Sequence, residues 1–330
     1  MTEAPAASAL PPENYQAGFE RRWGHLLDAR VRALAWLLDA PDLLDQAAPQ
    51  WQGRIASLGA VTPADAAWLA ALDRDPAALD AAFAGRHYSR LGLYAEKLLA
   101  FYFAAQRQLV AHGLQVRAAR DDTVGEFDFL LRDGADLLHL EFATKFYLLE
   151  AGGVGDVNRL IGPNLADTLG AKMRKIFDKQ LTLAWHPAAQ ALLPQPVARA
   201  QALVKGWLFY PAAAAMPESP TPGIASAHCH GFWMPHAQLA ALPGEHFYLM
   251  PRLLWLAPLK IAADGAINGA LDRTSLQAAL DAQLTQTPAP VMVAVLRQHG
   301  DWLVEHERGF IVPDQWQAQA VARRQSGILP

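Results

Sequence analysis

The chain has 330 residues, of which 28 are basic and 32 acidic, so it carries a slight net negative charge. A hydrophobic content of 52% with only 18% charged residues excludes a disordered chain and predicts one large folded domain or two modest ones. The single cysteine, Cys229, excludes an internal disulfide framework. Because neither a signal-peptide pattern nor an apolar run of membrane-spanning length is found, we expect a cytoplasmic protein without membrane partners.

The first part of the chain has helical patterns. Residues 1–14 are rich in Ala and Pro and are expected to form a disordered tail. Apolar residues then recur at spacings of three and four from Arg21 to Leu44, which predicts a helix. Thr62 can cap a second helix, and Asp65 completes a capping box with it. Residues 15–86 are therefore predicted to form a helical subdomain without catalytic residues.

The middle of the chain predicts a helix followed by three strands. An amphipathic helix is expected from Leu91 to His112, ended by the glycine that follows it. A short strand is predicted at Leu114–Arg117, and two longer strands are predicted at Glu126–Arg132 and Leu137–Leu149. The turn residues Asp133 and Gly134 between the longer strands indicate a hairpin.

Both long strands alternate apolar and polar residues. In the first, one predicted face carries Phe127, Phe129 and Leu131, and the other carries Glu126, Asp128 and Arg132. In the second, the residues expected to face away from the core are His139, Glu141, Lys145 and Tyr147. The ordinary explanation of this pattern is a half-exposed antiparallel sheet with a solvated polar face.

The remaining chain predicts a helix and several strands. The helix is expected at about Asp167–Leu181, and the strands at Trp207–Tyr210, His228–Met234, Phe247–Leu256, Val291–Val295 and Trp302–Val312. A loop rich in Pro and Ala at 212–223 suggests a domain boundary. We therefore predict a core domain at 87–211 and a C-terminal α/β extension at 212–330.

Asp128 and Glu141 form the candidate metal site. They lie about equally far from the hairpin turn, so strand pairing would bring them to within about 5 Å of each other. Carboxylates that converge on one point are the usual ligands of Mg²⁺ or Mn²⁺ in phosphodiester hydrolysis. A nearby ammonium group, such as that of Lys145, would stabilise the charge that develops on the phosphate.

The order of elements resembles the α-β-β-β-α core of the PD-(D/E)XK nuclease superfamily. The strings RLGLYAEKLL, GEFDFLLRD, HLEFATKFYL and KGWLFYP resemble more closely those of domain-of-unknown-function family 1853, a bacterial family placed in that superfamily. The resemblance implies an α/β, restriction-endonuclease-like α-β-β-β-α-β core and a nuclease acting on DNA or RNA. It also implies that Asp128 and Glu141 are the acidic motif residues and that Glu96, with Glu126 nearby, supports the metal.

The lysine departs from the superfamily pattern. The position two residues after Glu141 is Ala143, and Lys145 comes one pleat later. At about 3.3 Å per residue, Lys145 lies about 13 Å from Glu141 along a regular strand, against about 7 Å for the usual spacing. To reach the acidic pair, the Lys145 side chain would have to bend back along the strand, or a bulge near Ala143 would have to shorten the distance. Otherwise Lys172 takes over its role, or catalytic activity is lost.

Three lysines concentrate in the predicted helix after the hairpin. Lys172, Lys175 and Lys179 are spaced to lie on one helix face, and Gln180 follows them. That face could hold a phosphate backbone, or it could simply be solvated. The alternatives to a nuclease are a catalytically silent protein that binds nucleic acid or a protein partner, and a purely structural protein. His228 and His230 flank the cysteine, but a structural zinc site would need two further ligands.

Overall fold

A single mixed β-sheet organises the part of the chain that the structure describes. The computed structural model describes residues 14–119, 122–153, 155–214, 221–264 and 269–327. Apart from its last residue, Asn14, the predicted tail lies outside these ranges. Within these ranges, no helix combines the length and the apolar character that crossing a membrane requires.

The described chain begins with helices. They are α1 (Tyr15–Trp23), α2 (Ala29–Asp39), α3 (Pro63–Arg74) and α4 (Ala77–Phe83). The single helix predicted from 21 to 44 is wrong, because Asp28 caps a new helix by accepting hydrogen bonds from the backbone N–H groups of Arg30 and Val31. The predicted capping box of Thr62 and Asp65 is confirmed at the start of α3.

The middle of the chain combines one long helix, five strands and two shorter helices in the described residues. They are α5 (Leu91–Ala105), β1 (Leu109–Ala119), β2 (Asp122–Asp133), β3 (Asp136–Leu149), β4 (Leu160–Ile161), α6 (Leu169–Lys175) with a π-helical turn (Ile176–Gln180), α7 (Pro187–Gln190) and β5 (Val197–Pro211). The predicted extension of α5 to His112 is wrong. The chain reverses at Arg107, which has a φ of 57°, and His112 then pairs with Phe129 of β2. Strand pairing outweighs the helical pattern of the sequence there.

The C-terminal part adds further strands and two helices. They are β6 (Cys229–Pro235), β7 (His246–Leu249), β8 (Lys260–Ala262), α8 (Arg273–Gln286), β9 (Val291–His299), β10 (Trp302–Val312) and α9 (Trp316–Gln325). The strand predicted at 247–256 ends at Leu249, because Pro251 has no N–H group to continue the pairing.

The sheet has ten strands in the order β1-β2-β3-β5-β6-β10-β9-β7, with β4 beside β3 and β8 beside β10. The central pairs β3–β5, β5–β6 and β6–β10 are parallel, and the pairs towards both edges are antiparallel. The predicted α/β class is thereby confirmed. Strands from the predicted core and from the predicted extension belong to one sheet.

Helices cover both faces of the central strands. On one face, α1, α2 and α5 pack against apolar side chains that include Phe129, Leu140 and Trp207. On the other face, α6 and the π-helical turn pack against a second cluster that includes Tyr147 and Leu208. The polar face predicted for β3 is therefore not solvated: His139, Glu141 and Tyr147 are 0%, 2% and 3% exposed.

Gly206 sets how closely β5 can approach β3. It lies opposite Lys145 in the parallel pair, and a Cβ atom at Gly206 would overlap the carbonyl oxygen of Lys145. We predict that Gly206→Ala destabilises the fold by about 1–3 kcal/mol, because the added methyl group forces the two strands apart. Thermal unfolding measures this effect.

Gly92→Ala is the matched control. Its new Cβ would meet its nearest neighbour, Thr144 Oγ1, at 3.9 Å, which is an ordinary contact. Because alanine is the better helix former, this variant should be about 1 kcal/mol more stable than the wild type. If Gly206→Ala and Gly92→Ala unfolded at the same temperature, that result would contradict the packing argument.

Candidate active site

β2 and β3 are paired near their turn and separate from each other at Asp128, and we call this separation the fork. The two strands pair from their hairpin turn up to Phe129 and Leu140. Beyond that pair, β2 continues beside β1, and β3 continues beside β5. Asp128 and Glu141 are the first residues past the last pair, so both lie at the base of the opening.

Asp128 is directed towards β3 by a change in the alternation of β2. Phe127 and Phe129 pack in different hydrophobic clusters, which corrects the prediction that they share a face. The change occurs opposite Gly113 of β1, whose φ of 63° is accessible mainly to glycine. The Asp128 carboxylate then accepts a hydrogen bond of 2.9 Å from the backbone N–H of Phe142.

Glu141 is held from two sides. The Nε2 of His139 lies 2.7 Å from one carboxylate oxygen, and the Nε2 of Gln180 donates to the other at 2.5 Å. Burial lowers the pKa of His139 to about 3, so its ring is neutral. Both the backbone and the side chain of Asp128 lie within hydrogen-bonding reach of the Glu141 carboxyl group. The structure thus brings the two predicted carboxylates together.

The two acids repel each other in a setting with little water. Burial raises the pKa of Asp128, and the negative charge of Glu141 raises it further. Burial also raises the pKa of Glu141, although hydrogen bonds with Asp128 oppose that change. Glu96 and Glu126 add smaller effects in the same direction. Two full negative charges are therefore unfavourable here unless a cation neutralises them.

Lys145 reaches the same cleft from β3. Burial and, to a smaller extent, the positive charge of Lys172 lower its pKa to about 8, although Asp167 and Asp128 oppose the change. The β3–β5 register is continuous from Leu138 to Leu148, so a bulge does not bring the amine there. The long side chain bridges the extra pleat instead.

The π-helical turn decides which residues of the basic helix reach the cleft. Lys172, Ile176 and Gln180 line it, whereas Lys175 and Lys179 are exposed and do not. A hydrogen bond joins the Leu181 N–H to the carbonyl of Ile176, five residues earlier. Because this turn is one residue wider than an α-helical turn, the residue that faces the cleft comes one position later than it would in a regular α-helix. The structure thus places Lys172 in the cleft and Lys175 and Lys179 outside it, although Lys175 still lowers the pKa of Lys145.

The two supporting glutamates differ in position. Glu96 of α5 lines the cleft, and its carboxylate contacts His112 Nε2 at 2.8 Å. Glu126 is exposed and acts on the acidic pair only through its charge. Sequence reasoning missed both histidines. The signal that could have found His139 is its place two residues before Glu141, on the same face of the strand.

The cleft has a volume of about 360 Å³ and collects most of the predicted residues. Those that line it are Glu96, Asp128, Glu141, Lys145, Lys172 and Gln180. In the described parts of the chain, no three His, Cys, Asp or Glu side chains are grouped so that they could hold a metal ion. Two carboxylates nevertheless fit Mg²⁺ or Mn²⁺, because Mg²⁺ usually takes one or two protein carboxylates and fills its other positions with water and substrate oxygens.

His228 and Cys229 have packing and hydrogen-bond partners within the fold. The two ring nitrogens of His228 lie 2.7 Å from the Tyr210 hydroxyl and 2.6 Å from the Ala225 carbonyl oxygen. Cys229 is fully buried in the main core. The side chains of His228 and Cys229 are thus engaged in local contacts and packing.

The raised pKa values of the acidic pair predict a pH dependence of stability. A carboxyl group whose pKa is higher in the folded protein stabilises the fold at low pH, and this stability is lost as the pH rises through the raised pKa. In the presence of a chelator, Asp128→Asn should therefore gain stability relative to the wild type between pH 5 and pH 9, by about 1–3 kcal/mol at the upper end. Unfolding curves at several pH values measure this difference.

Asp136→Asn provides the control, since it removes one negative charge from the exposed turn of the same hairpin. A stability difference between Asp128→Asn and the wild type that stays constant with pH would show that the acidic pair does not destabilise the protein.

Comparison with known proteins assigns the family. A family model described as "Domain of unknown function (DUF1853)" matches residues 32–312, which include the whole cleft. Searches of curated proteins and of solved structures give no match. The matched region includes every strand of the described sheet. The chain therefore belongs to the DUF1853 family.

Proposed function

We propose that this protein is a divalent-metal-dependent nuclease that hydrolyses phosphodiester bonds of DNA or RNA. The observation that carries the proposal is the meeting of two carboxylates, the half-buried Asp128 and the buried Glu141, in a cleft that also contains Lys145. Among the described residues, neither carboxylate has a lysine or arginine within ion-pairing distance. Such an uncompensated pair is typical of a site that a cation completes.

The order of elements supports membership of the PD-(D/E)XK superfamily. The succession α5-β1-β2-β3-α6-β5, with these four strands as sheet neighbours, agrees with the core that the sequence resemblance implies. Asp128 on β2 and Glu141 on β3 occupy the places that the resemblance assigns to the two acidic residues. The proposal of a restriction-endonuclease-like core depends on this agreement.

Each residue has a role in the proposed reaction. Asp128 and Glu141 would hold Mg²⁺ or Mn²⁺, which supplies positive charge for the phosphate and activates water. With a pKa of about 8, Lys145 can exchange a proton near neutral pH or stabilise charge on the phosphate. Lys172, on the other side of the cleft, adds a second positive charge for the phosphate backbone.

A cleavage assay tests the proposal. Purified protein is incubated with DNA and RNA substrates in Mg²⁺, in Mn²⁺ and in chelator, and the products are resolved by electrophoresis. We expect metal-dependent cleavage that falls roughly 100-fold or more in Asp128→Asn and in Glu141→Gln. Asp136→Asn should cleave as the wild type does. Cleavage unaffected by both substitutions at the acidic pair would refute the assignment.

A catalytically silent nucleic-acid-binding protein is the second candidate. It is favoured by Ala143, which occupies the position where the superfamily pattern has its lysine. Binding without cleavage of any substrate in either metal would support this candidate over the nuclease.

Lys172 and Lys179 form a matched pair for testing nucleic-acid binding. They lie on the same helical segment, but only Lys172 lines the cleft. We predict that Lys172→Ala weakens binding to an oligonucleotide and lowers the slope of log affinity against log salt by about one. Lys179→Ala should change both quantities less. If the two substitutions weakened oligonucleotide binding equally, the nucleic acid would have to bind outside the cleft. Fluorescence anisotropy at several salt concentrations measures both.

A further inference from the structure

Besides its contacts with Asp128, the Glu141 carboxylate has hydrogen bonds with two other side chains, those of His139 and Gln180. His139 contacts one oxygen and Gln180 the other, so each oxygen of the carboxylate is engaged once. A carboxylate has about four lone-pair positions, and these two contacts leave roughly half of them open. The remaining positions are available to Asp128 and to the cleft.

The buried environment of His139 decides which ring nitrogen carries its proton. Its Nδ1 is buried and has no hydrogen-bond partner in the described structure. A buried N–H group without an acceptor costs more than a bare nitrogen that lacks a donor, because the polar hydrogen loses its contact with water. The proton therefore lies on Nε2, and the ring donates it to Glu141.

Packing holds the ring in this orientation. Phe127 meets the His139 ring edge-on, with ring centroids 4.6 Å apart and an interplanar angle of 86°. His139 also lies opposite Leu130 in the β2–β3 pairing, within the part of the hairpin that remains paired. His139 thus lies in the part of the hairpin where β2 and β3 remain paired, next to the point where they separate.

We propose that His139 and Gln180 are positioning residues that fix the Glu141 carboxylate for a divalent cation. This inference rests on the proposed function. Neutral donors suit the task, since they orient the oxygens without supplying a positive charge that would compete with the metal. A lysine or arginine in either place would form an ion pair with Glu141 instead.

The contacts of His139 also indicate that its role is not stability. An apolar ring in its place would remove the unpartnered Nδ1 and keep the contact with Phe127. Replacing a buried polar group by an apolar one of similar shape is often neutral or stabilising, provided that no partner is left unsatisfied. In His139→Phe, Glu141 keeps its hydrogen bond from Gln180 and can take up a proton.

Metal affinity and stability, measured on the same variants, test the proposal. Mn²⁺ binding is followed by titration calorimetry, and unfolding of the metal-free protein is followed in chelator. We expect His139→Phe to bind Mn²⁺ roughly 10–100-fold more weakly, with an unfolding temperature equal to or above that of the wild type. His139→Gln, whose amide N–H can donate from nearly the same place, should recover most of the affinity.

Gln180→Met provides a second variant in case His139→Phe does not fold. Gln180 is only partly buried, so its replacement should leave the fold intact while removing the donor to the other oxygen. Its Mn²⁺ affinity should also fall about tenfold or more. Wild-type affinity in either folded variant would overturn the inference while leaving the proposed function standing. A wild-type protein that binds no Mn²⁺ would overturn both.

Discussion

The hydrogen bond from the Phe142 N–H to the Asp128 carboxylate stands where the pairing of β2 with β3 would otherwise continue. An unpaired backbone N–H inside a covered sheet is costly, so the strands can separate only if another acceptor replaces the lost partner. The carboxylate provides that acceptor. The same contact holds Asp128 against β3, beside Glu141, at the point where the two strands separate.

The treatment of buried charge elsewhere in the chain sets this site apart. Glu305 and Arg308 are fully buried and form a direct ion pair of 2.6 Å, and Arg32 is paired with Glu20 at 3.3 Å. At the base of the fork, two acids face each other with neutral hydrogen-bond donors around them. In the function that we propose, this pair stays uncompensated within the protein because an external cation neutralises it.

The basic side of the cleft depends on irregular geometry. A regular α-helix would bring Lys172 and Lys179 to nearly the same side, whereas the π-helical turn directs Gln180 there and leaves Lys179 in solvent. Gln180 can then donate to Glu141. Lys145, one pleat beyond the usual position, reaches the cleft through the length of its side chain. In our proposal for this DUF1853 member, the site thus combines an acidic pair from the fork with amines from two other directions.

The sequence by itself determined the hairpin of β2 and β3, the α/β class and the nearness of Asp128 to Glu141, because turn residues and period-two alternation act over a few neighbouring positions. Only the tertiary structure decided that helices cover both faces of the sheet, that the alternation changes opposite Gly113, and that His139 lies beneath Glu141. The first two features arise from contacts between residues distant in the chain. His139 and Glu141 are only two residues apart, but the burial of both depends on the elements packed over β3. Local periodicity carries no information about which helix will cover a strand, or about where two paired strands will separate.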